Sequence, residues 1–280
     1  MTVKAGIVGW PVTHSLSPVL HGYWLKQLGI DGEMLRVPAQ PDEFRDVIAR
    51  LRTEGFAGVN VTVPHKEAAF ALADRVDAAA KMAGAANLLV FHAGAIEGKN
   101  TDSYGLAESL REKIGALSGA QAVLLGAGGA ARGAVLALES LGAGVIHILN
   151  RDAGRAQMLA AQLGPHVNAR LVPGGLTNWQ NVAGSAALLV NSTSAGMSGN
   201  PPLDLDLSAL KPSAAVCDIV YKPLETPLLK DAAARGHKTI DGLGMLMHQA
   251  APSFEAFFGQ RPQVDAGLRT ALESALFGSK

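Results

Sequence analysis

The tightest restriction on the architecture comes from Val123-Leu-Leu-Gly-Ala-Gly-Gly-Ala-Ala-Arg-Gly-Ala-Val135. Val123 to Leu125 is a short apolar run of the kind that forms a buried parallel strand. Gly126, Gly128 and Ala131 then keep the G-x-G-x-x-G/A spacing. Ala134 to Leu141 reads as a helix packed back on that strand, and Val145 to Leu149 as the next strand. In such a unit Gly126 makes the tight turn, Gly128 lets the backbone approach a pyrophosphate, and Ala131 keeps helix and strand close. The helix N-terminus faces the anion. Glycine spacing alone is weak, but inside a strand–turn–helix–strand unit of this length it predicts a dinucleotide site.

The nucleotide type is written in Asn150-Arg-Asp-Ala-Gly-Arg155. A carboxylate about 20 residues beyond the glycines takes the ribose hydroxyls of NAD. An arginine instead suits a 2′-phosphate, which its planar fork holds bidentately. Arg151 and Arg155 favour NADP, and Asp152 keeps NAD as the alternative. Ala187 to Asn191 and Ala214 to Ile219 read as further strands. The polar loops after them, Asn191 to Met197 and Val220 to Pro223, sit where a dinucleotide would pass. Thr239-Ile-Asp-Gly-Leu-Gly244 leads into a helix, Met245 to Phe258, with Leu246, Ala250, Phe254 and Phe257 near helical spacing. Val264 to Leu276 reads as a terminal amphipathic helix.

Ahead of the glycine unit lies a second set of elements. Ala5 to Val8 reads as a strand running into a turn, and Thr13-His-Ser-Leu-Ser-Pro-Val-Leu20 as a helix start. Ser17 suits the N-cap and Pro18 the first helical position, with Gly29 as the stop. Two hydroxyls, Ser15 and Ser17, therefore stand beside free backbone donors, an arrangement that suits a carboxylate or a phosphate. Met34 to Val37 is the next strand, and Pro41 to Glu54 a helix with Phe44, Val47, Ile48 and Leu51 inward. Val59, Val61 and Val63 alternate as in a strand, with Asn60 and Thr62 on its other face. Pro64 stops that strand, which leaves Lys66 in the loop at its C-terminal end, where parallel α/β sheets bind ligands. Ala68 to Ala80 reads as a helix and Asn87 to Phe91 as a strand. Asn100, Thr101 and Asp102 are turn and cap formers before a helix, Leu106 to Ile114.

Composition narrows the function classes. The formal net charge is +0 over 280 residues, which argues against electrostatic capture of nucleic acid or an anionic membrane. No apolar run is long enough to span a bilayer, and the first residues lack the pattern of a secretory signal. Cys217 is the only cysteine, so no intrachain disulfide forms; a reducing, cytoplasmic compartment is expected, with Cys217 as a small packing residue. The eight histidines form no recognisable ligand cluster, so no metal is expected.

Taken jointly and in order, several stretches resemble the shikimate dehydrogenase family along nearly the whole chain. They are Ser15-Leu-Ser-Pro18, Asn60-Val-Thr-Val-Pro-His-Lys66, Asn87, Asn100-Thr-Asp102, Gly126 to Ala131, Asn150-Arg151, Asn191 to Met197, Asp218-Ile-Val-Tyr221, and Asp241 to Met245 with Gln249. The resemblance implies a two-domain α/β protein. A mostly parallel α/β substrate domain would comprise residues 1–102 and 239–280, and a Rossmann-type NADP domain residues 103–238. It implies reversible reduction of 3-dehydroshikimate to shikimate with NADPH, by a monomer or homodimer acting on a small molecule.

By the family pattern Ser15 and Ser17 hold the substrate carboxylate, with Tyr221 near it. Asn60, Thr62, Asn87, Asp102 and Gln249 hold the hydroxyls. Lys66 is the acid–base residue and Asp102 its partner. The implied cofactor contacts are Gly126, Ala127, Gly128, Gly129, Ala130, Asn150, Arg151, Arg155, Thr193, Ile219, Gly242 and Met245. Asp152, where NADP-dependent members often have threonine, and Ala86, where valine is frequent, depart from the pattern. A quinate or quinate/shikimate dehydrogenase using NAD is the alternative within the superfamily. A non-catalytic sensing module has no need of both Lys66 and Asp102.

Overall fold

The first apolar run forms a strand whose last five residues are all buried, β1 (Val3–Gly9), as the centre of a parallel sheet requires. The computed structural model describes residues 2–278. They fall into two units: one runs to Thr101 and resumes at Met247, and the other is Asp102–Leu246.

In the first unit β1 lies between β2 (Gly32–Pro38) and β3 (Gly58–Val61), parallel to both. The crossovers are α1 (Ser17–Leu28) and α2 (Phe44–Thr53). α2 buries Phe44, Ile48 and Leu51, one helical face of its sequence, with Val47 at the margin. Where the sequence predicts a single helix over 68–80 the structure has α3 (Lys66–Leu72) and α4 (Ala78–Ala83), separated by the short strand β4 (Arg75–Val76). Two aspartates make the break. Asp74 Oδ2 accepts from Ile96 N at 2.7 Å, and Asp77 Oδ1 accepts from Ala80 N at 2.6 Å as the N-cap of α4. Such bonds offer the backbone an alternative to helix continuation. β5 (Leu88–His92) then pairs antiparallel with β3 and with β6 (Ala95–Lys99), a strand that the sequence pattern did not reveal. The sheet order is β2-β1-β3-β5-β6-β4.

The second unit opens with α5 (Asp102–Ile114), which starts earlier than the expected Leu106. Its sheet is wholly parallel: β7 (Gln121–Leu125), β8 (Val145–Asn150), β9 (Arg170–Gly175), β10 (Ala186–Asn191), β11 (Ala215–Asp218) and β12 (Lys238–Ile240). The order β12-β11-β10-β7-β8-β9 is that of a doubly wound dinucleotide fold, reversing direction between β7 and β10. The helices are α6 (Gly129–Ser140), α7 (Ala153–Leu163), α8 (Trp179–Val182) and α9 (Pro227–Ala234). α6 begins at Gly129, a full turn before the expected Ala134, because the glycine turn leads directly into it.

The return to the first unit comes later than residue 239. β12 completes the second sheet, with Ile240 opposite Cys217, so its backbone is committed there. The division falls inside α10 (Gly242–Phe258). From Met247 onward α10 belongs to the first unit with α11 (Ala266–Phe277). Asp265 caps α11 by accepting from Leu268 N at 2.7 Å, and also accepts from Tyr23 Oη of α1 at 3.1 Å. Among the described residues no helix is long and apolar enough to cross a membrane.

Candidate functional site

In the first unit the loops after β1 and β3 leave the same end of the sheet and are tied together. Thr62 N donates to Val8 O at 2.9 Å, and Trp10 N donates to Val63 O at 3.0 Å. The N-cap of α1 is Leu16 rather than Ser17, which is the first helical residue and is buried. Pro18 occupies the first turn, so the helix needs no side-chain cap to set its entry. The Ser15 hydroxyl donates to Ser17 Oγ at 3.2 Å and accepts from Ser17 N at 3.3 Å. A hydroxyl pair thus sits at a helix start with no acid in its first turn. Arg36 of β2 donates from Nε and Nη2 to Ser15 O, at 3.2 and 2.7 Å, and fixes this turn. The sequence carries no signal for that clamp, because the strand position of Arg36 has no spacing relation to Ser15.

Lys66 is the first residue of α3 and partly exposed, not a loop residue. Its setting is rigid. The neighbouring His65 is buried, donates from Nε2 to Ala39 O at 2.8 Å, and stacks on Phe44 with ring centroids 4.7 Å apart. Lys66 O accepts from Ala86 N at 2.9 Å, which joins this turn to the segment entering β5.

That segment carries an amide network. Asn87 Oδ1 accepts from Thr101 N at 2.8 Å, and Asn87 Nδ2 donates to Thr101 Oγ1 at 2.9 Å and to Gln249 Oε1 at 3.2 Å. Asn60 Nδ2 donates to Ser253 Oγ at 2.7 Å and, at a longer 3.4 Å, to Asn87 O. Asn60, Asn87 and Gln249, which the family resemblance assigns to one substrate, are linked in this network. Thr101 and Ser253 join them without having been expected to. Ser253 lies one helical turn beyond Gln249, and that spacing could have found it. Thr101 directly precedes Asp102, which falls in the first turn of α5, a favourable place for a carboxylate.

The second unit carries the residues expected to meet a nucleotide at the C-terminal ends of its strands. Gly126 has φ +111°, and a Cβ there would meet Ser192 Oγ at 2.7 Å, so only glycine makes this turn. At Gly128 and Gly129 an added Cβ meets nothing within 4 Å. α6 starts there with no side-chain cap bond and no acid in its first turn, and Gly128, Gly129 and Ala130 are exposed. This cradle of backbone donors fits a pyrophosphate. Ala131 is fully buried, as close packing of helix on strand requires.

After β8, Arg151 and Arg155 are exposed. Asp152 is the N-cap of α7: its Oδ1 accepts from Gly154 N at 2.9 Å, and its carbonyl accepts from Asn150 Nδ2 at 2.9 Å. The departure from threonine at this position thus exchanges one good capping residue for another.

A buried polar network organises the remaining loops. Asp218 is fully buried at the end of β11. It accepts from Asn191 Nδ2 at 3.0 Å, Val220 N at 3.1 Å and Thr226 Oγ1 at 2.7 Å. Asn191 Oδ1 in turn accepts from Thr193 N and Oγ1, at 3.0 and 2.7 Å. Burial pushes the Asp218 carboxyl above the usual carboxylate range, against these bonds. Thr193 is held by this network, and Ile219 N donates to Asn191 O at 3.1 Å. Burial pushes the hydroxyl of nearby Tyr221 up. Gly242 faces Ile219 so closely that a Cβ would lie 2.1 Å from Ile219 O. Met245, a turn further on, is partly exposed. The sequence assigned Asp218 no role of its own.

A wholly parallel dinucleotide-type unit, together in one chain with a second α/β unit rich in ordered hydroxyls and amides, defines the class: two-unit, dinucleotide-binding α/β proteins. Family models match residues 7–89 as a shikimate dehydrogenase substrate binding domain, 108–198 as shikimate / quinate 5-dehydrogenase, and 242–272 as a shikimate 5′-dehydrogenase C-terminal domain. The chain is 50% identical over 271 residues to a shikimate dehydrogenase (NADP(+)) of Paramagnetospirillum magneticum, covering 95% of this chain and 96% of that one. A crystal structure of shikimate 5-dehydrogenase from Thermus thermophilus, in complex with NADP(H) and shikimate, is 34% identical, with TM-score 0.87 over 98% of this chain and 100% of that one. A quinate dehydrogenase from Corynebacterium glutamicum in complex with NAD is 30% identical, with TM-score 0.88 over 98% of this chain and 99% of that one. The chain belongs to the shikimate dehydrogenase family.

Proposed function

We propose that the chain catalyses the reversible, NADPH-dependent reduction of 3-dehydroshikimate to shikimate. The observation that carries the reading is the ordered donor and acceptor set of the first unit: a hydroxyl pair at a helix start and a linked Asn60, Asn87, Thr101 and Gln249 array. That set suits a carboxylic acid bearing several hydroxyls. Ser15 and Ser17 bind the carboxylate, with Tyr221 near it. Asn60, Thr62, Asn87, Asp102 and Gln249 bind the hydroxyls.

NADPH, when bound, supplies the hydride. Its pyrophosphate is assigned to Gly126–Ala130, its 2′-phosphate to Asn150, Arg151 and Arg155, and its remaining contacts to Thr193, Ile219, Gly242 and Met245. Lys66 is the acid–base residue. As an ammonium it stabilises the negative charge that grows on the carbonyl oxygen and delivers the proton. In the oxidative direction the neutral amine takes that proton from the hydroxyl. Asp102 is the partner of Lys66 and orients the group.

The lone buried Cys217 supports a cytoplasmic location, and the balanced charge supports a small-molecule substrate rather than nucleic acid or a membrane; a monomer or homodimer is what the family resemblance implies.

The test is a matrix of initial rates: shikimate and quinate, each with NADP and NAD, on the wild type and on Lys66→Ala. The highest kcat/KM is expected for shikimate with NADP, and Lys66→Ala lowers kcat by roughly 10²–10⁴-fold with KM little changed. A preference for quinate with NAD would move the chain to the alternative reading, and near-normal turnover of folded Lys66→Ala would remove Lys66 from the mechanism.

A further inference from the structure

His21 of α1 is 0% exposed, and neither ring nitrogen has a hydrogen-bond partner. Trp24, Phe254 and Phe257 surround it, with ring centroids at 6.1, 5.7 and 6.1 Å. Asn60 reaches the same stretch of α10: its Nδ2 donates to Ser253 Oγ, and the next residue, Phe254, packs on the His21 ring, so two buried polar groups without partners share one cluster. Burial lowers the His21 pKa from 6.5 to about 3. The imidazole is therefore neutral and carries one N–H. Asn60 Oδ1 is also buried without a partner, while Asn60 Nδ2 is taken by Ser253 Oγ at 2.7 Å. An apolar side chain fills an aromatic cage without burying unpaired nitrogens. The imidazole thus has a use beyond packing.

We propose that the His21 N–H holds Asn60 Oδ1 and so fixes which way the Asn60 amide faces, making His21 a positioning residue for substrate recognition. The inference rests on the assignment of Asn60 to a substrate hydroxyl. The two ends of a primary amide are nearly equal in size, so packing alone does not choose between them. With Oδ1 on His21 and one N–H on Ser253, the second N–H, whose contact with Asn87 O is a long 3.4 Å, serves the hydroxyl. Without His21 the amide turns over and presents an acceptor in place of that donor.

The experiment compares Asn60→Ala, His21→Leu, His21→Gln and the double variant with the wild type, all full length. It measures shikimate kinetics with NADP, the NADP dissociation constant, melting temperature and the ¹⁵N–¹H resonances of the Asn60 side chain. His21→Leu is expected to melt no lower than wild type and to lower kcat/KM for shikimate by roughly 3–10-fold, mainly through KM, the scale of one neutral hydrogen bond. The Asn60 amide resonances shift and NADP binding does not. His21→Gln, which keeps an N–H donor, restores most of the loss. In the Asn60→Ala background His21→Leu adds nothing.

If Asn60→Ala lowers kcat/KM while His21→Leu changes neither kinetics nor the amide resonances, the positioning role is refuted and the Asn60 assignment stands. If Asn60→Ala itself leaves shikimate kinetics intact, the assignment falls and the inference with it. Should His21→Leu not fold, the wild-type imidazole spectrum decides: a hydrogen-bonded ring N–H supports the role and an unbonded one overturns it.

Discussion

Replacing Asp218 by alanine is expected to loosen both loops that follow β10 and β11. The carboxylate accepts three bonds, from Asn191 Nδ2, Val220 N and Thr226 Oγ1. Thr226 is itself the N-cap of α9, accepting from Leu229 N. Alanine leaves all three donors without this acceptor in a buried place, at about 1–3 kcal/mol each. Part is offset, because the burial that raises the Asp218 pKa is a desolvation cost that the variant no longer bears. The net loss should be about 2–4 kcal/mol, or a fall in Tm on the order of 10 °C.

Asp218→Asn keeps one acceptor oxygen and should lose only about 1 kcal/mol. The pH dependence has a definite sign. A folded value above the ordinary 3.8 means that the fold prefers the protonated acid. Its contribution to stability is complete below pH 3.8 and is lost as pH rises through the folded value. Asp218→Asn lacks that slope. Thermal melts across the acid range, with NADPH titrations on each variant, measure both effects. An Asp218→Ala protein that melts within a degree of wild type and binds NADPH normally would refute the reasoning.

Two further substitutions test the ligand contacts. Arg151→Ala should weaken NADPH by about one to two decades and leave NADH nearly unchanged, since only NADPH carries the 2′-phosphate; Asp152→Thr keeps a cap on α7, loses a negative charge and should strengthen NADPH, both read from kcat/KM with each cofactor. Ser15→Ala removes one member of the hydroxyl pair and should weaken shikimate by about 0.5–1.5 kcal/mol, or up to 3 for a donor facing a charge. Its KM reports this, with at most a small fall in Tm, because the Ser15 hydroxyl also accepts from Ser17 N at the start of α1 over a long 3.3 Å.

The sequence by itself determined what is local. Glycine spacing between two apolar runs determined the turn at Gly126, because the positive φ and the closeness of Ser192 exclude a side chain there. Apolar periodicity determined α2 and its buried face, because that face is repeated every helical turn. The order of motifs named Asn60, Asn87 and Gln249, each of which stands at a strand end or on an ordered helix. Tertiary structure alone decided the rest. Asp74 broke a run of good helix formers because the hairpin of β5 and β6 brought Ile96 N to it. β12 joined the second sheet because β11 offered an open edge. Arg36, Thr101 and Asp218 acquired their roles from partners that no spacing along the chain predicts. A hydrogen bond needs two groups within about 3 Å, and only the folded chain brings such distant residues that close.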